Sequence, residues 1–404
     1  MKNIEGGVCA PIGFKATGIH CGVRKNKDKK DLSLIVSDVM CHSASTYTQN
    51  KVKGAPIYVT KEHLENNEAI AILCNSGNAN TCNEDGIDIA NAMCDLCAKE
   101  LNIKAEDIII ASTGVIGQPL SLEPFELHMA ELVESLNENG SHDACLGIMT
   151  TDTMPKEYAV EFELNGKICH IGAIAKGSGM IHPNMATMLA FVTTDVSISK
   201  EMLQQVIVEV VNDTFNMVSV DGDTSTNDML SILANGLANN KEIQIVNEDY
   251  QTFKEALYYI CECLSKGIAK DGEGATKLLT CKVNHAKTIK DAKIVAKSVI
   301  TSSLFKAAMF GKDANWGRIL CAIGYSEASL DIDKIEVHLS SIKGDVCVCR
   351  SGKGYPFSEE KALEILSEDE IEILIDLHDG DDNATAWGCD LTYDYVKING
   401  DYRT

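Results

Sequence analysis

KGSGMIHPNMATMLAFVTTD, Lys176 to Asp195, joins two kinds of sequence. Its first half holds two glycines, a proline and an asparagine, residues that let a backbone turn sharply. Its second half is an apolar and β-branched run of strand type. The stretch reads as a sharp approach delivered onto a rigid strand, with Thr187 at the junction.

On either side, strand-like runs (LSLIVSDV at 32–39, APIYVT at 55–60, EAIAILCN at 68–75, DIIIAST at 107–113) are interspersed with helical ones. The latter are IDIANAMCDLCAKEL at 87–101, LEPFELHMAELVESLN at 122–137 and SKEMLQQVIVEVVNDTFNMV at 199–218, with apolar residues at three- and four-residue spacing. Alternation of the two predicts an α/β fold. SVDGDTSTNDMLSILANG, 219–236, reads as a polar loop before another helix start. The chain changes character near Cys281, giving a larger domain over 1–280 and a smaller one, with a strand-rich tail, over 281–404.

With 404 residues, 45% of them apolar, the chain can bury a large core. Its 36 Lys plus Arg stand against 59 Asp plus Glu, a formal charge of -23, so a phosphate backbone would meet repulsion and nucleic acid is not an expected partner. The densest basic piece, RKNKDKKD at 24–31, contains two aspartates and reads as a solvated loop. No secretory leader or membrane-length apolar run is visible, so a cytoplasmic location is expected.

The sixteen cysteines are spread over a long chain and read as reduced core residues. Cys94 and Cys97 sit inside a helical pattern, without the strand before it or the second ligand pair that redox or zinc sites need. Cys41 and His42 are neighbours on a strand and point to opposite faces. GEGATK, 272–277, has too short a spacing for a phosphate loop and a glutamate in its middle. Dinucleotide, zinc-protease and nucleophile-elbow motifs are absent.

Thr187 acquires a chemistry from its surroundings. A turn that brought its hydroxyl onto the carbonyl of Ala186 would convert that amide to an ester, and hydrolysis would leave Thr187 as a new N-terminus. A free α-amine has a pKa of about 7.7 to 8.0, so the residue would carry its own general base.

The same stretch closely resembles the self-cleaving segment of the ornithine acetyltransferases, which move acetyl from N-acetylornithine to glutamate in arginine synthesis. The resemblance covers nearly the whole chain. It includes, in order, APIGFKATGIHCGV, CNSGNANTCNEDG, ASTGVIGQPL, MTTDTMPK, VDGDTSTND, KDGEGATK, FGKDANWGRILCAIGYS and DYVKINGDYRT. One mild departure is His182 followed by Pro183, where IAPNMA is the more usual reading.

The resemblance implies a layered α/β/β/α fold, cleavage between Ala186 and Thr187, and assembly of the two chains as an α2β2 heterotetramer. It makes Thr187 the nucleophile and assigns the oxyanion to Thr113 and Gly114. Thr150, Lys176, Glu273, Asn399 and Thr404 become substrate-binding residues, with Thr153 one turn away as the alternative to Thr150. The implied function is glutamate N-acetyltransferase by double displacement, with small-molecule substrates and neither cofactor nor metal; acetyl-CoA stays open as a second acetyl donor. The alternatives are a hydrolase of the related self-cleaving aminopeptidase group and an uncleaved amino-acid binding protein.

Overall fold

The structure, a computed structural model, describes residues 1–182 and 188–401. In chain order its first strands are β1 Lys2–Ile4, β2 Phe14–Ile19, β3 Leu32–Tyr47, β4 Glu68–Asn78, β5 Ile108–Val115, β6 Lys156–Leu164, β7 Lys167–Lys176 and β8 Leu189–Thr194. There follow β9 Val218–Ser219, β10 Met229–Ala234, β11 Leu278–Ala286, β12 Glu336–Ser341, β13 Gly344–Arg350, β14 Lys353–Gly354, β15 Glu370–Asp376 and β16 Asp382–Cys389. A nine-stranded sheet runs β1-β6-β7-β8-β10-β3-β4-β5, with β2 added on β3. A seven-stranded sheet runs β14-β13-β12-β15-β11-β16-β9.

The long strand β3 decides the layering. Its first part pairs with β2 and β4, its second with β10, and the register with β4 is irregular between Val36 and Cys41. Such irregularities bend a strand and increase its twist. The two limbs of the sheet then face each other: Ile35, Ile72 and Ile109 of one share a buried cluster with Ile174, Phe191 and Leu233 of the other. Because side chains alternate along a strand, the neighbouring residues face outwards. Leu34, Leu73 and Ile110 pack with the helices Gly86–Leu101 and Glu123–Glu134. Ala173, Ala190 and Val192 pack with Lys200–Asp213 and Glu248–Lys270. Helix, sheet, sheet, helix is the α/β/β/α order.

The cluster beneath Glu248–Lys270 continues into the second sheet through Leu279, Cys281, Ile373 and Trp387. That sheet draws β9 from before residue 280 and its other strands from 278 onwards. Among the described residues no helix is long and apolar enough to cross a membrane.

Two local expectations are corrected. APIYVT is the start of a helix, Ala55–His63, with a proline in its first turn. Its β-branched residues are overruled by tertiary bonding, since Thr60 Oγ1 donates to Ile110 O at 2.7 Å and accepts from Ile110 N at 2.9 Å. MLSILA is not a helix start but β10, buried at all six positions between β8 and β3. A short, wholly apolar run carries no period by which to tell strand from helix.

Candidate active site

Several loops converge on a cavity of about 120 Å³. Its lining includes Thr113 and Gly114 from the end of β5, Thr150, Lys176 from the end of β7, Glu273, and Asn399 from the C-terminal helix Tyr393–Asp401. Six residues expected from sequence, spread over nearly three hundred positions, thus lie on one wall-to-wall surface. Ala186, Thr187 and Thr404 lie outside the described residues. Met188, next to Thr187 in sequence, lines a smaller adjoining cavity that shares Thr113, Lys176, Gly179, Met180, Ser225 and Asn227 with the first.

Gly114 occupies a bulge where β5 leaves β4, with φ +131°. A Cβ there would lie 2.3 Å from the carbonyl carbon of Gly77, so only glycine fits. The adjacent wall is fixed by Asn227, which lies in the VDGDTSTND motif but is not among the site residues expected from sequence. Its Nδ2 donates to Ala79 O at 2.5 Å and to Ser112 O at 2.9 Å, while its Oδ1 accepts from Thr81 Oγ1 and Thr226 Oγ1, both at 2.6 Å. One side-chain amide thereby ties the polar loop before β10 to the ends of β4 and β5.

Lys176 is 8% exposed, and its ammonium makes no ion pair or hydrogen bond with the described residues. Burial pushes its ammonium below the usual lysine range; Lys156 and Arg24 push the same way, against Asp152 and Asp228. A buried cation that lines a cavity and has no partner among the described residues can receive an anion there. Glu273, 9% exposed, accepts from Asn399 Nδ2 at 2.7 Å, and its backbone N–H donates to Ser178 O at 3.0 Å. Opposite charges therefore stand in one small cavity.

Below it lies a buried ion-pair group. Lys156 Nζ is 2.8 Å from Asp152 Oδ1 and 2.6 Å from Asp271 Oδ2. Asp152 also accepts from Thr150 N at 2.9 Å and Gly177 N at 2.7 Å. Burial opposes its ionisation, but Lys156, Lys176 and the Gly177 N–H outweigh that and hold the carboxyl well below its usual range. Asp271 accepts from both N and Oγ1 of Thr153, and its backbone O accepts from Ser178 Oγ at 2.6 Å. Thr150 lines the cavity, whereas Thr153 is turned onto Asp271 and lines a different, larger depression.

The approach to residue 183 is held from the other side. Asp221 accepts from Met180 N at 2.7 Å and Ile181 N at 2.9 Å, and Thr224 Oγ1 donates to His182 O at 2.8 Å. Burial, aided by Lys297, pushes the His182 imidazole down to about 4. Groups that could ligate a cation, His285–Asp376–His378 and Glu336–His338–Cys347, belong to the second sheet and its loops, and no member lines this cavity. All sixteen cysteines are free, and Cys94 and Cys97 are buried with thiols raised by burial.

A family model described as the ArgJ family matches residues 15–404. Arginine biosynthesis bifunctional protein ArgJ 1 of Clostridium acetobutylicum is 51% identical over 392 residues, 97% of this chain and 96% of that one. Arginine biosynthesis bifunctional protein ArgJ of Caldanaerobacter subterraneus subsp. tengcongensis is 48% identical over 405 residues, 100% of both chains. A crystal structure of arginine biosynthesis bifunctional protein argJ from Bacillus halodurans is 46% identical, with a TM-score of 0.51, covering 54% of this chain and 100% of that chain.

Proposed function

The chain belongs to the ArgJ family, and from that premise we propose how its cavity works as the site of an acetyl exchange. The protein is an acyltransferase of arginine biosynthesis, a glutamate N-acetyltransferase that takes acetyl from N-acetylornithine. The observation that carries the mechanism is the cavity itself, which gathers a buried lysine with no ion-pair partner among the described residues, a carboxylate and a glycine bulge beside the residue that follows Thr187.

In this reading the chain is cut between Ala186 and Thr187. N-acetylornithine enters with its α-carboxylate on Lys176 and an amino group towards Glu273, with Thr150 and Asn399 beside it. The Thr187 hydroxyl attacks the acetyl carbonyl while its own α-amine takes the proton. Negative charge on the carbonyl oxygen is met by the Thr113 and Gly114 region. Collapse breaks the C–N bond, the proton passes to the departing α-amine of ornithine, and Thr187 is left as an acetyl ester. The α-amine of glutamate, held by the same lysine through its own α-carboxylate, then takes the acetyl group. No cofactor or metal enters these steps.

The cut has independent support: the 218 residues from Thr187 onwards are 54% of 404, and one whole chain of the Bacillus halodurans structure spans that share of this sequence. The α2β2 assembly of cut chains and Thr404 as a further substrate contact belong to the same proposal. The relatives are described as bifunctional, and acetyl-CoA is the second acetyl donor we assign.

Denaturing electrophoresis and mass spectrometry test it together. Wild type should give two bands and Thr187→Ala one, and N-acetylornithine should add one acetyl mass to the fragment beginning at Thr187. An unmodified fragment in active enzyme, or acetate release indifferent to glutamate, would defeat the transferase mechanism.

A further inference from the structure

Lys156 is among the largest fully buried side chains, and it touches no cavity-lining role assigned above. Two carboxylates flank it, Asp152 at 2.8 Å and Asp271 at 2.6 Å. The pair is not symmetric with respect to the site. Asp152 also binds the N–H groups of Thr150 and Gly177, so it sits directly behind Lys176; Asp271 binds Thr153, turned away from the cavity. Asp152 heads the charges that attract Lys176, followed by Asp228.

We propose that Lys156 is a positioning residue that keeps Lys176 available to substrate: by occupying Asp152, it denies Lys176 an internal ion pair and leaves that cation for the substrate's α-carboxylate. The inference rests on Lys176 being the carboxylate receptor. It adds the reason why a buried lysine next to a residue bonded by Asp152 has no ion-pair partner among the described residues. An ammonium saturated by a rigid neighbour would offer an incoming carboxylate little. Lys156 takes that place and, as a like charge, also repels Lys176 from the cluster.

The test uses two charge-balanced double variants of the full chain, each removing one buried cation and one buried anion, so that neither leaves more uncompensated charge than the other. Lys156→Met with Asp271→Asn leaves Asp152 free to capture Lys176. Lys156→Met with Asp152→Asn leaves Asp271, which does not face it. The donors are N-acetylornithine and its decarboxylated counterpart N-acetyl-1,4-diaminobutane, and the readout is the ratio of their kcat/KM values.

The first double should lower that ratio about tenfold or more, through KM for N-acetylornithine, because a charge-assisted contact to the carboxylate is lost; the second should keep the wild-type ratio. Equal ratios in the two doubles, or equal losses on both donors, would overturn the proposal, since a merely structural lysine cannot tell the carboxylates apart. Lys176→Met separates the two levels of argument. If it leaves the donor ratio unchanged, the substrate reading of Lys176 falls; if it lowers the ratio while the doubles agree with each other, only the role of Lys156 falls.

Discussion

Asn399 donates from Nδ2 to Glu273 Oε2 at 2.7 Å, and this single bond spans 126 positions of chain to bring the C-terminal helix over the cavity. Helix and loop also meet at Gly274, where φ is +68° and a Cβ would lie 2.6 Å from Tyr395 N. The bond is short and partly exposed, so its loss should be felt in binding more than in folding. Asn399→Ala is expected to raise KM for N-acetylornithine about fivefold to tenfold, the value of one charge-assisted hydrogen bond. Steady-state kinetics alongside a thermal melt check it; a large fall in melting temperature with unchanged KM would make the contact structural only.

Gly179 backs the same carboxylate. A Cβ at this position would meet Glu273 Cδ at 2.4 Å, the far end of a flexible side chain. Gly179→Ala should therefore fold but push Glu273 out of place, raising KM with little change in melting temperature. An unaltered KM would show that Glu273 does not need this position.

Gly114 meets backbone rather than side chain, at an angle other residues rarely adopt. Gly114→Ala must shift the bulge, and with it the donors offered to the oxyanion, so kcat should fall about 10² to 10³-fold. Comparison with a Gly117→Ala control is informative, because Gly117 also has positive φ (+74°) but open space around its Cβ position. Similar kcat values for the two would remove Gly114 from the reaction.

Thr150 and Thr153 should part company. Thr153→Ala removes the hydroxyl that donates to Asp271 and should cost about 1 to 2 kcal/mol of stability while leaving KM near its wild-type value. Thr150→Ala should do the reverse. Urea unfolding and kinetics on both variants decide it, and a KM effect confined to Thr153→Ala would reverse the assignment.

His182 makes stability depend on pH. Its imidazole titrates near 6.5 when unfolded and at about 4 in the fold, because burial and Lys297 disfavour the charged form. Between those values the unfolded chain binds a proton that the folded one refuses, so stability falls as pH drops from 6.5 towards 4. His182→Gln should flatten the urea midpoint over that window; parallel slopes for variant and wild type would exclude His182 as the cause.

The sequence made some of this legible and not the rest, for physical reasons. Long periodic stretches such as IDIANAMCDLCAKEL announce a helix because one face must be apolar, and the structure has it at Gly86–Leu101. APIYVT and MLSILA defeat a local reading because their fate depends on partners elsewhere: Ile110 for Thr60, and the flanking β8 and β3 for β10. At the site, Lys176, Glu273 and Asn399 came from motif resemblance, since a lone lysine, glutamate or asparagine has no periodic signature. Asn227 and Lys156 lie in VDGDTSTND and MTTDTMPK, but nothing local sets them apart from their neighbours in those motifs. Their importance lies in bonds across more than a hundred residues, which no local pattern records.

The position of β8 has a consequence for the proposed cut at residue 187. β8 and β10 come from after residue 187, yet they lie side by side in the middle of the first sheet, between β7 on one flank and β3 on the other, both from before it. Neither fragment can complete that sheet alone. Were the chain severed there as proposed, a protein that folded as one chain would become two interleaved polymers, and its renaturation would turn from a first-order event into a second-order one, dependent on concentration and open to failure on dilution.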